Sequence, residues 1–270
     1  MKINYYIVDV FTKERFGGNP AAVCLLDEAI PTELQQKIAA EINLSETAFV
    51  LKNGNAYDLR WFTPKVEVEL CGHATLACGY VLYEQEEIES EAIRFNTLSG
   101  VLSVAREYGR YWLTLPKRKP EPSRHYRSFD RAFGTDRFQT LKASDFLLVF
   151  DSPEEVINLE PDFEKLKLVK EEAGVPDDVF GVIVTAKGDG FGCDFVSRFF
   201  APNAGINEDP VTGRAHSSLV PYWSEILKKK QMTAKQMSAR RGDIACINND
   251  DETVSLGAEI QIFSQGVIEI

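Results

Sequence analysis

Apolar residues fall in short runs along this chain, and the spacing inside each run separates strands from helices. Tyr5 to Phe11 is rich in β-branched and aromatic residues and predicts a strand. Gly17-Gly18-Asn19-Pro20 reads as a turn, and Ala21 to Leu26 as the next strand. Over Pro31 to Ile42 the apolar residues Leu34, Ile38, Ala39 and Ile42 recur at helical spacing. Thr47 to Lys52 and Asp58 to Phe62 read as strands on either side of an Asn-Gly-Asn turn. Gly72 opens a predicted helix through Ala74, Leu76, Ala77, Tyr80, Val81 and Leu82. Ala92 to Asn96, Gly100 to Glu107 and Tyr111 to Leu115 follow as strands.

The run from Pro116 to Pro122 combines prolines and charges without apolar periodicity, so it reads as a linker. Beyond it come a strand at Asp145 to Phe150, a helix at Phe163 to Ala173 and a strand at Val179 to Ala186. A turn at Gly188-Asp189-Gly190 precedes a strand at Phe195 to Phe200. Gly213 to Lys229 predicts a helix interrupted or bent at Pro221. Ile244 to Ile247, Thr253 to Leu256, Glu259 to Phe263 and Gly266 to Ile270 close the chain as short strands. Many strands with two helices per half make the fold class α+β, mostly antiparallel. The expected domains are 1–116, completed by a C-terminal strand at 262–270, and 117–261.

The second half repeats the first. Arg60-Trp61-Phe62-Thr63-Pro64 matches Arg198-Phe199-Phe200-Ala201-Pro202. After each block an acid-containing loop leads to a glycine that opens a helix, Cys71-Gly72-His73-Ala74-Thr75 and Thr212-Gly213-Arg214-Ala215-His216. A duplicated unit accounts for this order. Two such domains facing each other would place the two glycine-headed helix N-termini on opposite walls of one cleft. Their unpaired N–H groups and partial positive charge would form a trap for a carboxylate.

Composition narrows the function. At 44% hydrophobic and 26% charged, the 270 residues can build a packed core, which excludes a disordered chain. A net charge of −11 argues against a nucleic-acid-binding or anionic-membrane-binding role, while leaving room for a locally positive pocket. The N-terminal sequence lacks a signal-peptide pattern, and no apolar run reaches the length of about 18 residues needed to span a membrane. Five scattered cysteines without a CxxC pair, and three histidines, argue against a structural metal site. The expectation is a reduced, soluble, cytoplasmic protein without a metal.

Few residues carry candidate chemistry. Glu46 lies at a helix-to-strand junction, where partial desolvation would raise its pKa and let it shuttle protons; equally, it can simply end the helix. Asp209, before the second glycine-headed helix, is a second acid/base, a substrate anchor or a plain Asp-Pro turn. His73 and His216 fall in the first turns of the two helices, where each can transfer a proton or do nothing. Cys71 precedes a helix N-terminus that would stabilise a thiolate; Cys24, Cys78, Cys193 and Cys246 read as small core residues. Gly17-Gly18-Asn19-Pro20 is not a phosphate loop, and Gly188-Asp189-Gly190 precedes a strand, so no dinucleotide signature is present. No flavin or pyridoxal phosphate signature is found either.

Together these motifs resemble the phenazine-biosynthesis PhzF-like isomerase family, related in fold to diaminopimelate epimerase. The resemblance rests on Asp9-Val10-Phe11-Thr12 with Phe16 to Val23, Ser45 to Val50, Arg60 to Pro64, Cys71 to Thr75, and Phe200-Ala201-Pro202 through Asp209 to Gly213 to Ala215-His216. It implies two pseudo-symmetric domains, each a curved, mostly antiparallel β-sheet wrapped around a central helix. It implies cofactor-independent isomerase chemistry on a small carboxylic acid, with Glu46 as acid/base and His73 and Asp209 assisting. Backbone N–H groups of Gly72, His73 and Gly213 would bind the substrate carboxylate, with Arg214 and Asn19 in the same binding set, and the assembly would be a homodimer. The family commonly has Gly-Ser-Ala-His where this chain has Gly213-Arg214-Ala215-His216. That guanidinium can clamp a second anionic group or swing to solvent, which points away from the phenazine precursor as substrate. Two other readings stay open: a carboxylate-binding protein without catalysis, and a racemase that uses Cys71.

Overall fold

The computed structural model describes residues 1–174 and 181–270. The chain divides into two units, Met1–Thr114 with Ser255–Ile270, and Leu115–Val254. Strands and helices of the first unit run β1 (Lys2–Val10), β2 (Asn19–Leu26), α1 (Thr32–Ile42), β3 (Thr47–Asn53), β4 (Ala56–Phe62), β5 (Glu67–Val68), α2 (Gly72–Gln85), β6 (Ala92–Thr97), β7 (Gly100–Glu107) and β8 (Arg110–Pro116). Those of the second run β9 (Glu121–Pro122), α3 (Arg127–Phe133), β10 (Gln139–Lys142), β11 (Phe146–Val149), α4 (Pro153–Ile157), α5 (Phe163–Ala173), β12 (Val182–Lys187), β13 (Phe195–Ala201), β14 (Ile206–Asp209), α6 (Gly213–Leu227), β15 (Gln231–Gln236) and β16 (Gly242–Asn248). β17 (Thr253–Ala258) leads back to the first unit, where β18 (Ile260–Glu269) pairs antiparallel with β1.

The strand pairing repeats one for one. In the first unit β2 lies parallel to β3 across the crossover helix α1, and β4 lies parallel to β6 across α2. In the second, β11 lies parallel to β12, and β13 parallel to β15 across α6. The pairs β1–β2, β3–β4, β4–β5 and β6–β7 are antiparallel, as are β10–β11, β12–β13, β13–β14 and β15–β16. The fold is therefore two pseudo-symmetric α+β units of mostly antiparallel sheet, as the sequence pattern and the resemblance imply. Each parallel pair needs a helical crossover, which is why the helices fall where they do.

Helix α2 is buried on nearly every side and packs against β1, β2, β3 and β7, as a central helix must. The first unit's core also joins Cys24, Ile38, Ala39, Phe49 and Phe62 between sheet and α1. In the second unit Phe129, Phe133, Phe146, Phe150 and Phe200 anchor a largely aromatic core. Among the described residues no helix is long and apolar enough to cross a membrane.

Three expectations need correction. Residues Pro116 to Pro122 are not an unpacked linker. Lys117 N–H donates to Glu252 O at 2.8 Å, Arg118 N–H to Ser217 O at 3.0 Å, and β9 pairs with β10. The segment lacks apolar periodicity because backbone hydrogen bonds and the Lys117 ammonium, which donates to the Asn249 and Asp251 carbonyls, hold it in place of an apolar face. The helix at Gly213 runs unbroken through Pro221 to Leu227. The expected strand at Val179 to Ala186 is Val182–Lys187; residues 175–180 lie outside the described residues.

Candidate functional site

In the first unit the site begins with backbone strain. Gly18 has φ +63°, and a Cβ there would sit 2.1 Å from the Val10 carbonyl oxygen, so only glycine makes this turn without strain. The turn delivers Asn19, fully buried, at the start of β2. Helix α1 ends at Asn43, which takes the left-handed conformation, and Glu46 follows just before β3. The Glu46 carbonyl accepts from Ala22 N–H at 3.1 Å, which ties its backbone to β2. Cys71 stands in extended conformation ahead of α2, and no side chain caps that helix. His73 therefore lies in its first turn.

These residues converge on one imidazole. Asn19 Nδ2 lies 3.4 Å and Cys71 Sγ 3.5 Å from His73 Nδ1, while Glu46 Oε2 lies 3.3 Å from Nε2. With the Asn19 amide N–H as donor, Nδ1 accepts, which assigns the ring proton to Nε2, the nitrogen on the Glu46 side. The Glu46 side chain is 15% exposed. Burial pushes its carboxyl above the usual range, and the Ser45 hydroxyl pulls it partly back. The donor atoms of Glu46, Cys71 and His73 also lie within 4.8 Å of one another, close enough to consider a metal. Yet the carboxylate approaches Nε2 and the thiol Nδ1, on different edges of the ring. An ion bound to one nitrogen would have the third ligand across the ring, so the arrangement suits a proton relay better than a metal centre.

The second unit builds the corresponding region differently. Asp209 ends β14, and its carboxylate accepts from the Thr212 hydroxyl at 2.5 Å. The fully buried Gln236 on β15 clamps this loop: its Oε1 accepts from Thr212 N–H at 2.9 Å and its Nε2 donates to Asp209 O at 2.8 Å. Helix α6 then starts at Gly213 with no side-chain cap. Arg214 donates through Nε and Nη2 to Asp145 at 3.1 and 3.4 Å. Asp145 is 1% exposed and also accepts from Gly181 N–H at 3.0 Å.

The family model of the phenazine biosynthesis-like proteins, PhzC-PhzF, matches residues 8–257. The chain belongs to the PhzF-like family. It is 44% identical over 270 residues to an uncharacterized isomerase of Pseudomonas aeruginosa, with 100% of both chains covered. A crystal structure of a PhzF-family phenazine biosynthesis protein from Enterococcus faecalis matches with a TM-score of 0.93 at 41% identity, again over 100% of each chain. A predicted epimerase from Pseudomonas aeruginosa matches at TM-score 0.76 and 18% identity, over 98% of this chain and 99% of that one, which shows the shared epimerase-like fold. The protein is thus a PhzF-like isomerase by family.

The internal repeat of this PhzF-like chain shows where the two halves part. Ala22 N–H donates to Glu46 O, and Phe146 N–H donates to Gly181 O at the same 3.1 Å, so Gly181 occupies the place of Glu46. Arg214 likewise occupies the place of His73, one residue after the glycine. The first unit holds a histidine and a buried glutamate, which can move protons. The second holds an arginine, which cannot. His216 is buried in the core; its Nδ1–H donates to Thr212 O at 2.8 Å, and burial lowers its pKa to about 4. It is therefore a neutral structural histidine. Cys24, Cys78 and Cys246 are core residues and Cys193 is half-buried. Sequence reasoning missed Asp145 and Gln236, because no motif surrounds either. Nothing in the sequence pairs Asp145 with a residue 69 positions away.

Proposed function

We propose that this protein is a cofactor-independent isomerase that moves a proton on a small carboxylic acid, with Glu46 as the acid/base. The observation that carries this reading is the buried Glu46 carboxylate, 3.3 Å from His73 Nε2 and with its proton affinity raised by burial. Glu46 takes the proton from a weakly acidic carbon and becomes the neutral acid, the form its environment favours. It returns the proton to a different carbon, so protons balance with no outside donor. His73, which Asn19 and Cys71 approach at Nδ1, stands 3.3 Å from the carboxylate through Nε2 and is assigned to position it. The first-turn amides of Gly72 and His73 in one unit, and of Gly213 in the other, are each assigned to carboxylate binding, since uncapped helix N-termini favour anions. Asp209 assists by holding the Thr212 hydroxyl, which fixes the loop that presents Gly213.

The test is solvent-proton exchange into carboxylic acid substrates in deuterated water. Glu46→Gln should slow exchange by about 10²-fold or more, while calorimetry shows ligand affinity nearly unchanged. Unaltered exchange in Glu46→Gln would remove the residue from this role. A second reading has one observation behind it: Cys71 Sγ lies 3.5 Å from His73 Nδ1. Full exchange in Cys71→Ser would dismiss a thiol-dependent racemase, and absence of exchange across a broad panel of acids would favour a binding protein.

A further inference from the structure

Arg118 lies in the Pro116 to Pro122 segment, and its position follows from a missing donor. Pro221 has no N–H, so the carbonyl four residues earlier in α6, that of Ser217, lacks its helical partner. Arg118 N–H fills that vacancy at 3.0 Å. Ser217 and Arg214 are three residues apart and share a helix face. The segment thus delivers Arg118 to the same side of α6 as Arg214.

Two guanidiniums act on one another there. The Asp145 carboxylate already receives Arg214 Nε, Arg214 Nη2 and Gly181 N–H. Among the described residues, no carboxylate hydrogen-bonds or ion-pairs with the half-buried Arg118 guanidinium. Desolvation and then the charge of Arg214 weaken its hold on its proton, and Asp145 opposes them. Among the described residues, Asp145 pairs with the Arg214 guanidinium and acts on the Arg118 guanidinium through charge alone, beside the positive end of α6. Two partly desolvated like charges repel, and an anion placed between them relieves that repulsion. The matching position in the first unit holds His73, which can move a proton. Arg214 cannot, so this half is built to recognise.

We propose that Arg118 and Arg214 form a guanidinium pair that receives a second oxyanionic group, so that the substrate is a dianionic small acid. This rests on the reading that the Gly213 end of α6 binds the substrate: the first-turn amides take one carboxylate, and the two forks take another group bidentately. The existing Arg214–Asp145 pair pre-orients one fork. The proline-vacated carbonyl pre-orients the other.

The experiment is calorimetric titration of the full chain with length-matched acids: succinate against butyrate, glutarate against valerate, and 2-phosphoglycolate as the phosphate form. The wild type should prefer the dianions by about tenfold or more at low salt, with the preference shrinking as salt is added. The tighter of glutarate and 2-phosphoglycolate identifies the oxyanion. Arg118→Gln should bring the preference close to parity. Arg118→Lys, which keeps charge but not the fork, should fall between. Pro221→Ala, which returns an N–H to Ser217 O, should also reduce the preference. Among the described residues Arg118 has no ion pair to lose, so its variants should melt like the wild type by circular dichroism, and Arg214 need not be touched. Equal affinity for dianions and monoacids in the wild type, or an undiminished preference in Arg118→Gln, would overturn the pair. Glu46→Gln separates the two proposals: it should lose proton exchange and keep the preference. A preference without any exchange in the wild type would sink the isomerase reading alone, and exchange on monoacids without a preference would sink the guanidinium pair alone.

Discussion

At the scale of single residues, the candidate site depends on groups that do no chemistry. Gly18 allows the turn, the turn places Asn19, and Asn19 lies 3.4 Å from Nδ1 of His73, whose Nε2 is 3.3 Å from Glu46. Gly18→Ala would put a Cβ against the Val10 carbonyl oxygen in a left-handed conformation. It should cost at least about 2 kcal/mol in urea denaturation, from backbone strain and displaced packing. An undiminished midpoint would show that the turn relaxes freely. The sequence marks Gly17 to Pro20 as a turn and excludes a phosphate loop, but it does not say that the next residue faces a histidine 54 positions away. Glu46 shows the same division. Its junction position is legible, while the burial that raises its proton affinity is a tertiary property.

At the scale of elements, most of what the sequence misses is short or polar. Helix α3 spans seven residues and β10 four, too few for a period to show. Strand β15 alternates inward at Met232, Ala234 and Gln236, yet the last of these is polar and hides the pattern. Gln236 is inside because its amide satisfies the Asp209–Thr212 loop, a tertiary requirement. Helix α6 carries a pH dependence of its own. Its buried His216 keeps a pKa of about 4, against 6.5 in the unfolded chain. Above pH 6.5 neither state is charged. As pH falls from 6.5 toward 4 the unfolded chain binds a proton that the folded one refuses, so stability drops; below 4 the loss is complete. The total should reach up to about 3 kcal/mol. Denaturant titrations across that window should show this loss in the wild type and not in His216→Gln.

At the scale of the whole molecule, duplication explains the architecture, and the proposed chemistry follows from its asymmetry. Arg60 and Arg198 each make a two-point pair with a glutamate, Glu67 and Glu208, and each lies over the phenylalanine two residues on, at 5.1 and 4.9 Å. The copies differ in burial: the Arg60 side chain is 35% exposed and that of Arg198 10%. Arg198 also donates to the Val156, Ile157 and Leu159 carbonyls. Arg198→Met should therefore cost about 3–5 kcal/mol, as when one member of a buried pair is removed, and Arg60→Met only about 1 kcal/mol. Equal losses in denaturant midpoints would mean that burial does not distinguish the copies. The sequence by itself determined the α+β class, the order of most elements, the repeat and the PhzF-like family. All of these are written in local spacing, turn chemistry and motif order, which act over a few residues. Only the tertiary structure decided that Asp145 holds Arg214, that Gln236 clamps the Asp209 loop, and that Arg118 fills the carbonyl left by Pro221. Those contacts join distant positions, and strand register and close packing select them after the local elements have formed.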